Sequence, residues 1–281
     1  MNCYICNHSD FRFRQGGVRD NPELLIHECI NCGLVALNSF EHIKHGHYEN
    51  SGMHGEELPS IESWLRKTEQ DDRRRFELLK VAIVNRKVLD FGCGAGGFLR
   101  KVQKLATVVA GVELEHRVRE HWVDSIPIYE SLADVSDKYD LITSFHVLEH
   151  LLDPREMLRC LASHLRVGGR LVIEVPNSDD ALLTLYESDA FQRFTYWSQH
   201  LYLFNSKTLH CLANQAGLKV ISIQQFQRYP LSNHLYWLSR NKPGGHQCWS
   251  FLDTQSLSEA YTASLAAIGK CDTIIAYLEN E

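Results

Sequence analysis

The chain has 281 residues, of which 44% are apolar and 23% charged, and its formal net charge at neutral pH is −6. This composition is typical of a globular protein with a buried core. The negative charge argues against a general nucleic-acid binder, which needs a positive surface to offset phosphate charge. Because we find neither a run of about 18 apolar residues nor an apolar segment near the beginning, we expect no membrane span, no secretory signal and a cytoplasmic location.

Four of the nine cysteines form two close pairs near the start of the chain. Cys3 and Cys6 make one Cys-x-x-Cys pair, and Cys29 and Cys32 make the other. Four thiolates can surround zinc as a tetrahedron without an open position, and metal binding stabilises a segment too small to build its own core. We therefore predict that residues 1–40 form a zinc-ribbon-like module with structural Zn²⁺, in preference to a redox pair or unrelated free thiols.

Residues 41–84 are predicted to be a linker followed by a helix. The linker is rich in histidine and glycine, and it is either a solvated connection or a lid that closes with Tyr48 over a ligand; its histidines are His42, His45, His47 and His54. Apolar residues at helical spacing predict a helix over 61–84. This helix carries three consecutive arginines that form either an exposed face or a site that attracts phosphate, namely Arg73, Arg74 and Arg75.

From residue 87 onward, short apolar runs alternate with helical stretches. Strands are predicted over 87–91, 108–113, 126–129, 139–145, 170–175, 219–226 and 234–239. Such alternation is typical of a doubly wound α/β fold, a seven-stranded Rossmann-like sheet with parallel strands and helices on both faces. We assign residues 85–240 to this catalytic domain and 241–281 to a C-terminal helical tail. Ligands bind such sheets at the carboxyl ends of the strands.

A glycine-rich turn follows the first of these strands, in the segment Asp90-Phe91-Gly92-Cys93-Gly94-Ala95-Gly96-Gly97. The glycines alone also satisfy the dinucleotide pattern, so they leave a nicotinamide cofactor open. Asp90 stands where a dinucleotide-binding strand stays apolar, and a carboxylate there suits a cationic ligand. Glu113 ends the second strand, where it can accept hydrogen bonds from ribose hydroxyls.

Four motifs in this region resemble those of the class I S-adenosylmethionine-dependent methyltransferases. They are LDFGCGAGGFL, GVELE, YDLITSFHVLEHL and LRVGGRLVIEVPN, and the resemblance covers residues 86–226. It implies a methyltransferase with S-adenosylmethionine as cofactor. The cofactor-binding residues that the resemblance implies are Asp90, Gly92, Gly94 and Glu113, with Ser131 and Leu132 near the adenine and His146 under the methionine part.

A zinc module ahead of such a domain resembles the sugar methyltransferases, including the deoxysugar C-methyltransferases. The segment TYWSQHLYLFN, residues 195–205, is similar to their Tyr-His-Glu-His motif and places its last histidine at His200. Trp197 stands at the position of the motif's tyrosine, so the acid–base pair for carbon methylation is incomplete. The whole insert between the fifth predicted strand and the next helix is rich in aromatic residues, which suit either a sugar ring or ordinary packing against the sheet. They are Tyr186, Phe191, Phe194, Tyr196, Trp197 and Tyr202.

Removing the proton of an alcohol acceptor calls for a base, and histidine matches neutral pH best. We predict His200 and His150 as the catalytic residues. His146, Glu149 and His150 would share one face if this segment is helical. Some quinone-biosynthesis O-methyltransferases have a similar Glu-x-x-Glu-His motif that binds a divalent cation, but here the first position is His146.

The leading expectation is O-methylation of a sugar hydroxyl in surface-polysaccharide or glycoside biosynthesis, with a nucleotide-sugar or another saccharide as the small-molecule or glycan partner. Three alternatives stay open at this point. The first is an RNA methyltransferase, which the negative charge disfavours. The second is a methyltransferase for a quinone, phenol or amine. The third is a cofactor-binding protein without catalysis that uses the zinc module for docking.

Overall fold

The computed structural model describes residues 2–44, 46–49, 54 and 58–280. The strands β1 to β11 are Phe11–Phe13, Ile26–Cys29, Val35–Leu37, Lys87–Phe91, Val108–Val112, Ile128–Tyr129, Tyr139–Phe145, Leu165–Pro176, Tyr202–Leu203, Leu218–Phe226 and Thr273–Asn280. The helices α1 to α10 are Ile61–Ile83, Gly97–Val102, His116–Trp122, Pro154–Ser163, Ala181–Thr184, Asp189–Thr195, Ser206–Gln215, Leu231–Arg240, Gly245–Cys248 and Gln255–Ala267. Short 3₁₀ turns cover Leu132–Asp134, Leu148–His150 and Ser250–Leu252.

The larger sheet has seven strands in the order β10-β11-β8-β7-β4-β5-β6. The pairs β8·β7, β7·β4, β4·β5 and β5·β6 are parallel, as predicted. β11 pairs antiparallel with both β8 and β10, so the sheet is mixed and the prediction of an all-parallel sheet is wrong. The α/β fold class is confirmed. The carboxyl ends of β4, β5, β7 and β8 meet at one edge of this sheet.

The seventh strand lies elsewhere than predicted. Residues 234–239 belong to α8, in which His234 and Trp237 are buried while Leu235 and Leu238 are exposed. This spacing of three residues is helical, but over six residues it cannot be distinguished from a buried strand by its apolar content. The actual seventh strand is β11. The segment 241–281 therefore contains the expected helix, α10, but does not form the helical tail that we predicted.

The helix that follows β7 begins as predicted and ends earlier than predicted. The Asp153 side chain accepts a hydrogen bond from the N–H of Glu156, and Pro154 occupies the first turn. The helix ends at Ser163, and Gly168 and Gly169 lie inside β8 instead of terminating the helix.

A second, smaller sheet joins the N-terminal region to the middle of the chain. Its order is β1-β2-β3-β9, in which β1, β2 and β3 come from residues 1–40 and β9 comes from the segment after α6. Val35 pairs with Leu203, and the N–H of Leu37 donates to the carbonyl of Leu201 at 3.1 Å. The N-terminal region thus shares a sheet with the segment that carries His200. Among the described residues no helix combines the length and hydropathy that crossing a membrane requires.

Candidate active site

The turn after β4 has a first position that only glycine fits. Gly92 has a φ of +69°, and a Cβ added there would lie 2.4 Å from the side chain of Val147. Gly94 also has a positive φ, +51°, and its N–H donates a hydrogen bond to Oε2 of Glu113 at 2.8 Å. The turn and the end of β5 therefore face the same space.

Two carboxylates border this space, of which Asp90 is buried and Glu113 is half-buried. Asp90 is 2% exposed, its Oδ1 accepts a hydrogen bond from Oγ1 of Thr143 at 2.7 Å, and burial raises its pKa to about 7. Burial also raises the pKa of Glu113, which accepts hydrogen bonds from two backbone N–H groups. Because the charged form of such a carboxyl group is destabilised by burial, the site favours a ligand that brings positive charge or hydroxyl groups that donate hydrogen bonds.

A cavity of about 350 Å³ lies at this edge of the sheet, and we call it the glycine-turn cavity. Trp64 and Thr68 of α1 form one wall, and Tyr48 contributes from the segment before α1. The predicted cofactor-binding residues that line it are Asp90, Gly92, Gly94, Glu113 and His146.

Ser131 and Leu132 are not among the described residues that line the glycine-turn cavity. Ser131 caps the 3₁₀ turn after β6: its Oγ accepts a hydrogen bond from the N–H of Ala133 at 3.1 Å and lies 3.1 Å from Asp134. Leu132 is 8% exposed. The role of these two residues near an adenine stays a prediction.

Ion pairs with a buried carboxylate explain two of the three arginines of α1, and our prediction for these two is wrong. Arg74 and Arg75 each place a guanidinium nitrogen 2.8 Å from Oε1 of Glu174, which is fully buried at the end of β8. Both arginines are therefore committed to an internal carboxylate and form neither an exposed face nor a phosphate site. Arg73 is exposed, as predicted.

His146 adopts a left-handed conformation, with a φ of +55°, immediately after β7. Its Nδ1 lies 3.3 Å from Oε1 of Glu149, and its Nε2 lies 3.1 Å from Oε1 of Glu174 and 3.2 Å from Nη1 of Arg228. A histidine in this backbone region is strained unless its surroundings fix it, and such residues cluster at functional sites.

His150 and His200 come together, as a shared catalytic role requires. Their rings are 4.9 Å apart, and Nδ1 of His150 lies 2.9 Å from the carbonyl of Gln199. Burial lowers the pKa of both histidines, that of His200 to about 3. Side-chain donor atoms of Glu149, His150 and His200 lie within 4.8 Å of one another, which is close enough to hold a metal ion.

A second cavity, of about 540 Å³, lies beyond His146 and Arg228, and we call it the aromatic cavity. Its ring-bearing walls include Phe191, Phe194, Trp197, Tyr229 and Trp237. Polar side chains reach it as well, among them Arg19, Asp180, His200, Asn233, His234 and Asp272. His146 and Arg228 line both cavities, so these two side chains form a boundary that the cavities share.

Sequence reasoning found only part of the aromatic cavity. Of the aromatic residues in the insert after β8, Phe191, Phe194 and Trp197 line it, whereas Tyr196 and Tyr202 are buried in the core. The sequence did not point to three other lining residues: Arg228, which follows β10, Trp237, which lies on α8, and Asp272, which precedes β11. The positions just after β10 and just before β11 become informative only once the strand order is known.

The segment between β3 and α1 contacts the catalytic region at several points. Nε2 of His42 lies 2.6 Å from the carbonyl of Ser198, and Nε2 of His54 lies 2.9 Å from Oε2 of Glu115. Tyr48 lines the glycine-turn cavity. His45 lies outside the described residues. These contacts agree with a covering segment, although closure over a ligand stays a prediction.

The four N-terminal cysteines converge on one point. The Sγ atoms of Cys3 and Cys32 are 3.4 Å apart, and those of Cys6 and Cys29 are 3.5 Å apart. Each Cys-x-x-Cys pair is followed by a residue with positive φ, Asn7 or Gly33, whose N–H donates to the carbonyl of the first cysteine at 2.9 Å. The two halves of the cluster therefore have the same knuckle geometry.

Comparison with known proteins points to one chemistry. A family model described as a methyltransferase domain matches residues 62–223, which is more than half of the chain. The ubiquinone biosynthesis O-methyltransferase of Bordetella avium is 25% identical over 176 residues, covering 57% of this chain and 73% of that protein. The enzyme of the same name from Acinetobacter baylyi is 22% identical over 192 residues, covering 62% and 80%.

Solved structures agree on the fold. A SAM-dependent methyltransferase from Archaeoglobus fulgidus superposes with a TM-score of 0.53 at 19% identity, covering 75% of this chain and 94% of that one. Magnesium protoporphyrin IX methyltransferase from Synechocystis, with bound SAH, gives a TM-score of 0.50 at 14% identity, covering 86% and 100%. The chain belongs to the methyltransferase-domain family, and it is an S-adenosylmethionine-dependent methyltransferase.

Proposed function

We propose that this enzyme methylates a hydroxyl oxygen of a phenol or quinol held in the aromatic cavity. The observation that carries the proposal is that the glycine-turn cavity and the aromatic cavity are neighbours that share His146 and Arg228 as a common boundary. A methyl donor in the first space and a flat ring in the second would face each other across this boundary, and such positioning supplies much of the catalysis. The relatives named for ubiquinone biosynthesis support a ring acceptor and give no support to the sugar that we expected first.

We propose further that S-adenosylmethionine binds in the glycine-turn cavity through Asp90, Gly92, Gly94 and Glu113. The residues fit this cofactor, since the turn has no room for a Cβ at Gly92. Burial also raises the pKa values of Asp90 and Glu113, and neither forms an ion pair with another residue that the structure describes. When bound, the cofactor supplies an electrophilic methyl carbon on a positively charged sulfur. Asp90 would bind its cationic amino acid end, and Glu113 its ribose hydroxyls. Ser131 and Leu132 would have to approach the adenine from outside this cavity.

His200 is proposed to accept the proton of the acceptor, with His150 beside it. The lowered pKa keeps the ring neutral near neutral pH, and its buried Nδ1 makes no hydrogen bond to the described residues. In such a transfer the hydroxyl oxygen would gain the methyl group that the cofactor supplies, the cofactor would leave as a neutral thioether, and His200 would take up the proton that the hydroxyl loses. The pKa of Glu149 is lowered overall, because the effect of burial is outweighed by the contact with His146 and by the other nearby imidazoles. Glu149 is therefore ionised, and its negative charge would stabilise the imidazolium that forms when His200 takes up the proton.

A divalent cation is the alternative means of activating the hydroxyl at this place. One carboxylate and two imidazoles within 4.8 Å, those of Glu149, His150 and His200, suit such an ion. If a cation acts here, turnover of dialysed enzyme rises with added Mg²⁺ or Mn²⁺ and the Glu149→Gln variant loses this response. Turnover that is indifferent to both ions favours the base mechanism.

The test is methyl transfer from isotopically labelled S-adenosylmethionine to paired acceptors. Catechol and 3,4-dihydroxybenzoate represent the phenols, and methyl glucoside and glucose 1-phosphate represent the sugars. We expect label in the O-methylated phenol. If only the sugars are methylated, the phenol proposal is refuted and the sugar acceptor is restored. A sugar would then be held by hydrogen bonds from its hydroxyl groups to Asp180, Asn233 and Asp272 in the aromatic cavity.

We propose that residues 1–40 bind one structural Zn²⁺ through Cys3, Cys6, Cys29 and Cys32. Sulfurs around zinc at about 2.3 Å lie about 3.8 Å from one another. The sulfur–sulfur distances of 3.4 and 3.5 Å and the paired knuckles support this ion. Four thiolates leave no open position, so the metal would stabilise the small sheet and take no part in methyl transfer.

A further inference from the structure

Arg19 comes from the N-terminal region but borders the aromatic cavity. Its guanidinium carbon lies 4.7 Å from the ring centre of Trp197 and 5.6 Å from that of Phe194. Its backbone N–H donates to the carbonyl of Tyr196 at 2.9 Å, which fixes the residue against the segment before His200. The side chain stands at the rim, with part of its surface open to solvent.

Arg19 forms no ion pair among the residues that the structure describes, although the charge of the neighbouring Asp20 partly stabilises its guanidinium. The carboxylate next to it, Asp20, instead accepts hydrogen bonds from the N–H and Oγ of Ser198, at 2.9 and 2.7 Å. Arg19 itself donates one side-chain hydrogen bond, from Nη1 to the carbonyl of Phe194 at 3.3 Å. A guanidinium has five N–H donors, so most of them stay available.

The other arginine at the aromatic cavity is already paired. Arg228 forms a short ion pair with Asp71, and Asp71 in turn has its pKa lowered to about 2, because the charge of Arg228 outweighs the effect of burial. Partial burial lowers the pKa of Arg19, because the neighbouring groups do not fully compensate its guanidinium for the loss of hydration. Of the arginines that line this cavity in the described part of the chain, Arg19 is thus the one that an incoming anion could pair with.

We propose that Arg19 binds an anionic group, a carboxylate or a phosphate, on the methyl acceptor. The proposal rests on the proposed function, in that the aromatic cavity is taken as the acceptor site. A guanidinium lying on aromatic rings is preorganised for such a group, because its planar fork matches two oxygens at once. The N-terminal region then contributes directly to acceptor selection and is more than a support for the catalytic domain.

The experiment compares anionic and neutral ligands of the same shape by calorimetry, with the full-length zinc-loaded protein and S-adenosylhomocysteine present at low salt. One pair is 3,4-dihydroxybenzoate and 3,4-dihydroxybenzyl alcohol, and the other is glucose 1-phosphate and methyl glucoside. We expect the wild type to bind at least one anion about tenfold or more tightly than its neutral partner. Arg19→Gln should lose this preference, and Arg19→Lys should keep part of it.

Arg12→Gln is the matched control, since Arg12 belongs to the same region but pairs with Glu28 at 2.6 Å and lines neither cavity. It should keep the full preference. A preference in the sugar pair alone would uphold the role of Arg19 while the phenol proposal fails. The role of Arg19 is overturned if the wild type favours neither anion, or if Arg19→Gln, folded to the same melting temperature as the wild type, retains the preference.

Discussion

The affinity for S-adenosylmethionine should depend steeply on pH between 5.5 and 7, because Asp90 must be ionised to bind the cationic end of the cofactor. Asp90 is 2% exposed and burial raises its pKa to about 7. In the free protein the carboxyl group therefore takes up a proton as the pH falls below 7, and cofactor binding has to expel it. The affinity consequently decreases as the pH decreases.

The size of this effect follows from the fraction of Asp90 that is ionised. That fraction is about 3% at pH 5.5 and about one half at pH 7, which gives a change in affinity of about 15-fold. The amino group of the cofactor stays charged over this range, since its pKa lies near 8. Calorimetry at several pH values measures the affinity, and circular dichroism checks that the protein is folded at each of them.

Asp90→Asn is the control for this prediction, because burial also raises the pKa of Glu113, which could add its own pH dependence. The amide keeps the size of the side chain but cannot titrate. It should bind the cofactor weakly and with a nearly flat profile over the same range. The reasoning is refuted if the wild-type affinity is flat between pH 5.5 and 7, or if the asparagine variant keeps the wild-type slope.

Three further predictions follow from single contacts. Gly92→Ala should lower stability by about 2 kcal/mol or more and abolish cofactor binding, since its Cβ would lie 2.4 Å from Val147; calorimetry with wild-type affinity would contradict this. Cys29→Ser should lose zinc by metal analysis and lower the melting temperature by several degrees, and an unchanged zinc content would count against the site. His200→Ala should reduce turnover by about 100-fold or more while leaving cofactor affinity intact. If this variant keeps full turnover and His150→Ala loses it, His150 and not His200 is the base.

The sheet and the glycine turn were predictable because their signals are local. Each parallel strand is a short apolar run, and the positive φ values at Gly92 and Gly94 occur at alternate positions of the glycine-rich turn that precedes a helix. The proximity of Asp90 to Glu113 follows from strand adjacency, since both stand at the carboxyl ends of neighbouring parallel strands. His150 and His200 also meet, although their closeness depends on a segment with little regular structure.

The remaining features depend on contacts between distant parts of the chain. Arg74 and Arg75 look like a solvated helix face until Glu174, about a hundred positions away, is known to lie beneath them. The aromatic cavity combines residues from near both ends of the chain, such as Arg19 and Asp272, and no spacing rule relates them. The wrong prediction of a strand over 234–239 has the same cause, since contacts with distant residues decide whether a six-residue apolar stretch becomes a strand or a helix.

The position of β11 has a consequence for how the protein is made. This strand lies between β8 and β10, although the ribosome produces it after both. Until residues 273–280 have emerged, β8 has one unpaired edge and β10 has no neighbour in the larger sheet, so a nascent chain exposes backbone that invites pairing with other chains. A product truncated before Thr273 should therefore be more prone to aggregate than the chain that includes this strand.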